Sequence, residues 1–187
     1  VLDQRIPVVM DKKARNVYDQ LKNELVVHLA NGEPVTANNV LTQLLRLSQV
    51  AGGYLQDQLV GTHKLQALRE LVESEQGKLI IWARFLPEIQ GIGNVLRSLK
   101  ESYKIITGSV PGNERASLVS QFQQSSSPRI LVCQIASLCV GVTLHAASTA
   151  IFYSVDWQYD LYQQARDRIH RAGQTQTCRY LHLVTQD

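Results

Sequence analysis

The sequence predicts an α/β fold: a parallel sheet covered by helices on both faces, preceded by a helical N-terminal extension. Two observations carry this. Beyond Thr62, short apolar runs such as Leu79-Ile80-Ile81-Trp82-Ala83 and Ile130-Leu131-Val132-Cys133 alternate with amphipathic stretches. Strands that are apolar on both sides belong to sheets buried on both faces, and interleaved helices make such a sheet parallel. Before Thr62 the apolar residues recur mostly at helical spacing. The chain therefore divides into a helical extension, 1–61, and an α/β unit, 62–187.

Residues 1–10 are extended in character, with Pro7 and the run Val8-Val9-Met10. Ala14, Val17, Leu21, Leu25 and His28/Leu29 then mark one helix face, with Asp11 as N-cap. Asn31-Gly32 stops that helix and Pro34 follows. A second helix runs from about Ala37 to Val50, carrying Leu41, Leu44, Leu45 and Leu47, until Ala51-Gly52-Gly53 breaks it. Thr62 caps a third helix bearing Leu65, Leu68, Leu71 and Val72.

The α/β unit follows from there. Leu79–Ala83 is a buried strand, and Phe85, Ile89, Ile92, Leu96 and Leu99 give the next helix. Tyr103 to Thr107 is a second strand and Gly108 to Gly112 a turn. Glu114 to Gln124 is a helix with Leu118, Val119 and Phe122 inward. After the loop Ser125-Ser126-Ser127-Pro128 come strands at Ile130–Cys133 and Ala150–Tyr153. A further helix and a fifth strand, Tyr180–Val184, complete the unit.

In open parallel sheets ligands bind outside the C-terminal strand ends. Those segments are Arg84-Phe85, Thr107-Gly108-Ser109, Gln134 to Thr143, and Asp156-Trp157. The helix after the fourth strand carries the densest chemistry, Gln164-Ala165-Arg166-Asp167-Arg168-Ile169-His170-Arg171-Ala172-Gly173-Gln174. At about 100° per residue, Gln164, Arg168 and Arg171 share one face. Leu161, Ala165, Ile169 and Ala172 form an apolar stripe beside it. Two permanently charged guanidinium forks one turn apart suit phosphate oxygens. The alternative is a solvated, ion-paired face in which Asp167 meets Arg171 at i+4. Spacing alone leaves both open, and His170 reads as a helix-surface histidine.

Composition narrows the classes. The 187 residues are 44% hydrophobic and 19% charged, a globular balance. A net charge of +3 is too mild to establish a nucleic-acid partner. No apolar run approaches the roughly 20 residues that span a bilayer, and no signal peptide is evident. Cys133, Cys139 and Cys178 show neither a disulfide framework nor metal-ligand spacing, and the five histidines show no ligand spacing. They read as thiols in a reducing compartment, with no metal site. There is no G-x-x-x-x-G-K-[ST] loop and no G-x-G-x-x-G turn, which sets a dinucleotide-binding domain aside. Arginines without a phosphate loop make half a nucleotide site. Such arginines act on a nucleotide held by another lobe or subunit.

Thr62 to Asp187 resembles the C-terminal RecA-like lobe of the Swi/Snf-type ATPases, within the superfamily-two helicases. Lys64-Leu65-x-x-Leu68 looks like the lead-in helix, and Lys78 to Phe85 resembles motif IV. Ile106-Thr107-Gly108-Ser109, with Glu114-Arg115 and Phe122, resembles the block that follows. Ile130 to Leu144 sits at motif V, and Ala146 to Trp157 continues it. Gln164 to Gln174 closely resembles motif VI, terminal Gly-Gln included. The chain departs from the family at Gln134 to Gly141, which replaces a glycine-rich turn, and at Thr143, Gln158-Tyr159 and Trp82-Ala83-Arg84. These departures look like bacterial or phage members rather than nuclear remodellers, which implies a cytoplasmic protein.

The resemblance implies a division of labour. An N-terminal RecA-like lobe of a longer polypeptide would hold ATP and Mg2+, and this lobe would close over the nucleotide. Arg168 and Arg171 match the motif VI arginines that reach the β/γ-phosphates. Gln164 matches a position that helps couple the lobes, and Gly141 and Thr143 match motif V positions near the nucleotide. Arg84, Phe85, Thr107, Ser109, Gln134 and Trp157 become candidates for contact with one strand of duplex DNA. Trp157 reads equally well as an anchor packed at a strand end. The activity implied is ATP hydrolysis driving DNA translocation by the parent, with this piece inactive alone. A non-catalytic α/β nucleic-acid-binding scaffold is the alternative, favoured by the atypical motif V.

Overall fold

In the computed structural model the described residues are 1–30, 37–137 and 142–186. Strand β1 (Leu2–Val9) leads into helices α1 (Lys12–Ala30) and α2 (Ala37–Ala51), followed by a small hairpin of β2 (Tyr54–Leu55) and β3 (Gln58–Leu59). The α/β unit then runs α3 (His63–Ser74), β4 (Leu79–Ala83), α4 (Leu86–Ser98), β5 (Tyr103–Ile106), α5 (Gly112–Gln124) and β6 (Ile130–Gln134). A 3-10 turn at Ile135–Ser137, β7 (Thr149–Phe152), α6 (Tyr159–Asp167) and β8 (Arg179–Gln186) complete it.

The sheet has six strands in the order β1-β8-β7-β4-β6-β5, and every pairing is parallel. The expected five strands are all present. The sixth, β1, comes from the segment that reads only as extended; it pairs along its full length with β8, Leu2 opposite Arg179 through Val9 opposite Gln186. An edge strand keeps one side in water, so β1 lacks the continuous apolar signature of the inner strands.

Alternation along β4 shows why the inner strands are apolar throughout. Leu79, Ile81 and Ala83 pack with Leu68 and Val72 of α3 and Ile89, Ile92 and Leu96 of α4. Ile80 and Trp82 face the opposite layer, with Phe122 of α5, Ala165 of α6 and Ile169. Side chains alternate sides along a strand, so each face of β4 meets its own helical layer. A third, smaller core (Met10, Ala14, Val50 and Val60) joins α1 and α2.

Several local expectations change. Asp11 does cap α1, accepting the Ala14 amide at 3.2 Å, and its other oxygen accepts the Thr62 amide at 2.7 Å. Thr62 itself makes no side-chain cap on α3. Its hydroxyl instead accepts Gln66 Nε2 at 3.2 Å, while Asp11 ties the two helix starts together. On α2, Leu47 and Val50 are buried but Leu41 and Leu44 are exposed, because the small core reaches only the C-terminal half of that helix. Asn31-Gly32, Pro34, Cys139 and Gly141 lie outside the described residues. Among those described, no helix is long and apolar enough to cross a membrane.

Candidate nucleotide and nucleic-acid interface

The chain leaves β4 toward β5 and leaves β7 toward β8, in opposite directions along the sheet. A crevice between two such strands is where open α/β sheets bind ligands. Arg84-Phe85 follows β4 and Asp156-Trp157 follows β7, so both stand at this switch point. The Arg84 Nε lies 3.1 Å from Asp156 Oδ2. Its guanidinium sits over the Trp157 ring at 4.6 Å and near the Phe85 ring at 5.1 Å. Trp157 is 52% exposed. An aromatic face presented to solvent beside a cation is a surface on which a base or sugar can stack.

The rim continues across two more strands. Gln134, at the end of β6, receives the Gly108 amide on Oε1 at 3.1 Å and donates Nε2 to the Arg84 carbonyl at 3.4 Å. Thr107 and Ser109 share a hydroxyl hydrogen bond of 2.8 Å after β5. The structure thus gathers all six expected rim residues, Arg84, Phe85, Thr107, Ser109, Gln134 and Trp157, onto the C-terminal ends of β7, β4, β6 and β5. These four strands are adjacent in the sheet. Gln134 ties two turns together, while the Arg84 charge is already met by Asp156.

The arginine segment departs from the expected helix. α6 stops at Asp167, and Arg168 to Gly173 continue in turns, with the Ile169 amide bonded to Arg166 O and Gly173 at φ +100°. Leu161, Ala165 and Ile169 keep their apolar contacts, but Ala172 is exposed. Asp167 accepts from Gln163 at 3.0 Å instead of pairing with Arg171, because the helical i+4 relation ends with the helix.

The two arginines nevertheless converge. Arg168 Nη1 donates to Val142 O at 3.3 Å, and Arg171 Nη1 donates to Thr143 Oγ1 at 3.2 Å. The Arg168 carbonyl accepts the Leu144 amide at 2.7 Å, clamping the two loops. They differ in exposure: Arg168 is 5% exposed, whereas Arg171 is open to solvent. Gln164 sits one turn earlier on α6, with Oε1 buried and without a hydrogen-bond partner among the described residues. Gln174 anchors the segment through the carbonyls of His145 and Ala147, at 3.1 and 2.9 Å. Two guanidiniums and a hydroxyl, with no carboxylate bonded to Arg171 among the described residues, form a donor set that fits polyphosphate oxygens.

Behind the rim lies a buried acid. Glu88, on the first turn of α4, is 0% exposed. Its Oε2 accepts the Phe85 amide at 3.2 Å and the Ser154 hydroxyl. Lys64, also buried, donates Nζ to the Tyr153 carbonyl at 2.8 Å. Burial pushes the Glu88 carboxyl up to about 6, against which Ser154, the Lys64 charge and the Phe85 and Arg84 amides act. Burial likewise draws the Lys64 ammonium down to about 8, with Glu88 opposing. Tyr54 and Tyr153 also face the carboxylate, and both phenols are raised by burial first and by Glu88 second. No sequence signal marks Glu88 or Ser154, because neither belongs to a residue pattern of its own.

A stability test follows from the sign. The folded-state value of Glu88 lies above its ordinary 4.5, so the unfolded chain releases this proton first as pH rises. The folded state therefore loses about 2 kcal/mol of relative stability between pH 4.5 and 6. Urea unfolding of wild type and Glu88→Gln across that window should show the difference in stability falling by this amount. A flat difference would mean Glu88 ionises in the fold as it does in the unfolded chain.

Comparison with known proteins agrees with this architecture. The profile of the helicase conserved C-terminal domain matches residues 63–173. A Drosophila melanogaster SWI/SNF-related matrix-associated actin-dependent regulator of chromatin subfamily A-like protein 1 is 34% identical over 65% of this chain and 16% of its own. A Mycoplasma genitalium protein described as an uncharacterized ATP-dependent helicase is 22% identical over 97% of the chain and 18% of its own length. The chain thus spans less than a fifth of either relative. Among solved structures, the Sulfolobus solfataricus SWI2/SNF2 ATPase core in complex with dsDNA superimposes with a TM-score of 0.82 at 20% identity. That match covers 98% of this chain and 41% of the other. The C-terminal part of the Fun30 ATPase domain gives 0.81 at 16% identity, over 100% and 85%. The profile match takes in more than half of the sequence, and the whole chain superimposes on Swi2/Snf2-type ATPase domains: the chain belongs to the helicase conserved C-terminal domain family, with the fold of a Swi2/Snf2-type C-terminal RecA-like lobe.

Proposed function

We propose that this chain is the second motor lobe of an ATP-dependent DNA translocase of Swi/Snf type. The observation that carries the reading is the convergence of Arg168 and Arg171 on the Val142-Thr143 loop, with Arg171 exposed and, among the described residues, its guanidinium bonded only to a neutral hydroxyl. A guanidinium so held is free to exchange that hydroxyl for a phosphate oxygen when a second lobe presents a nucleotide. It then stabilises charge on the departing γ-phosphoryl group. Gln164 and Thr143 complete the nucleotide-facing edge, to which the family resemblance also assigns Gly141. ATP and Mg2+ are held mainly by the facing lobe, which in this division of labour supplies the phosphate loop. The rim from Trp157 to Ser109 lies along a backbone of duplex DNA, in contacts that do not depend on sequence. The division at 61/62 separates this motor unit from a connector that contributes β1 to its sheet.

The test is ATP hydrolysis by a parent protein carrying both lobes, with and without linear duplex DNA, beside the 187-residue chain. DNA-stimulated turnover by the parent and none by the chain alone is the expected result. A parent that binds duplex DNA with both lobes folded yet never hydrolyses ATP would establish the scaffold reading instead.

A further inference from the structure

Arg84, Phe85, Asp156 and Trp157 stand on two separate turns, after β4 and after β7. The Arg84–Asp156 ion pair joins the two turns at the surface, and a second link lies beneath them. One hydroxyl and one carboxylate oxygen supply that link. Ser154 Oγ accepts the Arg84 amide at 2.8 Å and donates its own proton to Glu88 Oε2. The same Oε2 accepts the Phe85 amide. A single buried oxygen thus fixes the start of α4, the end of β4 and the end of β7.

The other oxygen looks the opposite way. Glu88 Oε1 has no hydrogen-bond partner among the described residues and lies against Gly52, where an added Cβ would come within 2.0 Å of it. Around it, the Tyr153 hydroxyl donates to the Gly52 carbonyl at 2.8 Å, and Lys64 holds the Tyr153 carbonyl. The connector's Gly52 is therefore a wall of the carboxylate's cage, and a Cβ there would force the carboxylate to shift. A buried carboxylate is costly unless its position matters. The energetically simpler choice at this site is an apolar side chain.

We propose that Glu88 is a positioning residue for the DNA-facing rim, holding the Arg84-Phe85 and Asp156-Trp157 turns in one geometry through Ser154, with Gly52 of the connector closing its cage. This rests on the rim reading given above. Glu88 touches neither DNA nor nucleotide in this arrangement. It acts through the two turns, so its loss weakens uniform binding of DNA rather than the chemical step.

The experiment measures DNA-stimulated ATP turnover of the two-lobed parent as a function of linear duplex concentration. The variants are Trp157→Ala, Glu88→Ala, Glu88→Gln and Ser154→Ala, each checked for a cooperative unfolding transition. Trp157→Ala reports on the rim alone. Glu88→Ala and Ser154→Ala are expected to raise the half-saturating DNA concentration by about tenfold, with turnover at saturating DNA within about twofold of wild type. Glu88→Gln keeps an acceptor oxygen for Phe85 and Ser154 and is expected to stay within about threefold of wild type. If Glu88→Ala does not fold, Ser154→Ala decides, because it removes only the bridging hydroxyl. A raised half-saturation in Trp157→Ala together with a wild-type value in Ser154→Ala overturns the positioning role and leaves the rim reading standing. A wild-type value in Trp157→Ala overturns the rim reading and this proposal with it. A fall in saturated turnover at unchanged half-saturation would place Glu88 in the chemical step and overturn the proposal as well.

Discussion

Arg171→Ala in a two-lobed parent is expected to lower DNA-stimulated ATP turnover by about 10³-fold or more, the range found when arginine fingers are supplied or withheld. Affinity for ATP should change far less, because the guanidinium acts on charge that develops as the γ-phosphoryl leaves. Stability should barely change: the side chain is exposed, and its contact among the described residues is one hydrogen bond to Thr143. Arg171→Lys should recover little, since an ammonium cannot present the planar fork. Arg168 provides the contrast. It is 5% exposed and bonded to Val142 O, so Arg168→Ala should lower both turnover and the unfolding midpoint. Steady-state kinetics and urea denaturation of the same two variants separate these patterns. Unchanged turnover in Arg171→Ala would leave the segment a structural one.

Phe152→Ala is expected to be the most damaging core substitution for the site, costing about 3–5 kcal/mol. Phe152 is 1% exposed at the C-terminal end of β7. Its ring meets His182 at 4.8 Å, nearly parallel at 7°, and Tyr162 of α6 at 5.1 Å. Tyr180 and Trp82 lie at 6.3 and 6.5 Å. Removing it opens a void between the sheet and the helix from which the arginine segment departs. The substitution should therefore lower turnover beyond the loss of folded protein, through a displaced Arg171. Phe152→Leu, which refills most of the volume, should cost less than half as much. Urea unfolding of the chain gives the first number, and turnover per folded parent gives the second. A loss under about 1 kcal/mol for Phe152→Ala would mean that the ring lies in a site able to collapse.

The limits of what the sequence discloses show in particular elements. β4 and β6 declare themselves because they are buried on both faces, so no polar residue interrupts them. β1 does not, because an edge strand shares its pattern with any extended segment until a neighbour is known. The arginines at 168 and 171 were identified as a pair on the premise of a continuous helix. The helix ends at Asp167, yet the pair still converges, because Arg168 O holds the Leu144 amide and draws the turn onto the 142–144 loop. The pair is legible from side-chain chemistry, and its geometry comes from a contact between segments 24 residues apart (Leu144 and Arg168). Glu88 and Ser154 left no trace in the sequence. A buried carboxylate in the first turn of a helix has the same letters as a solvated one, and only packing distinguishes them.

Periodicity and residue chemistry by themselves determined the α/β class, the inner strands, the helical character of the connector and the residues able to meet phosphate. These are local properties, set by which side chains alternate and which carry charge. The order of strands, the recruitment of β1, the shared rim on four strand ends and the cage around Glu88 were decided only by tertiary structure. Each depends on which distant segments desolvate one another, and burial turns an ordinary carboxylate or guanidinium into a fixed one.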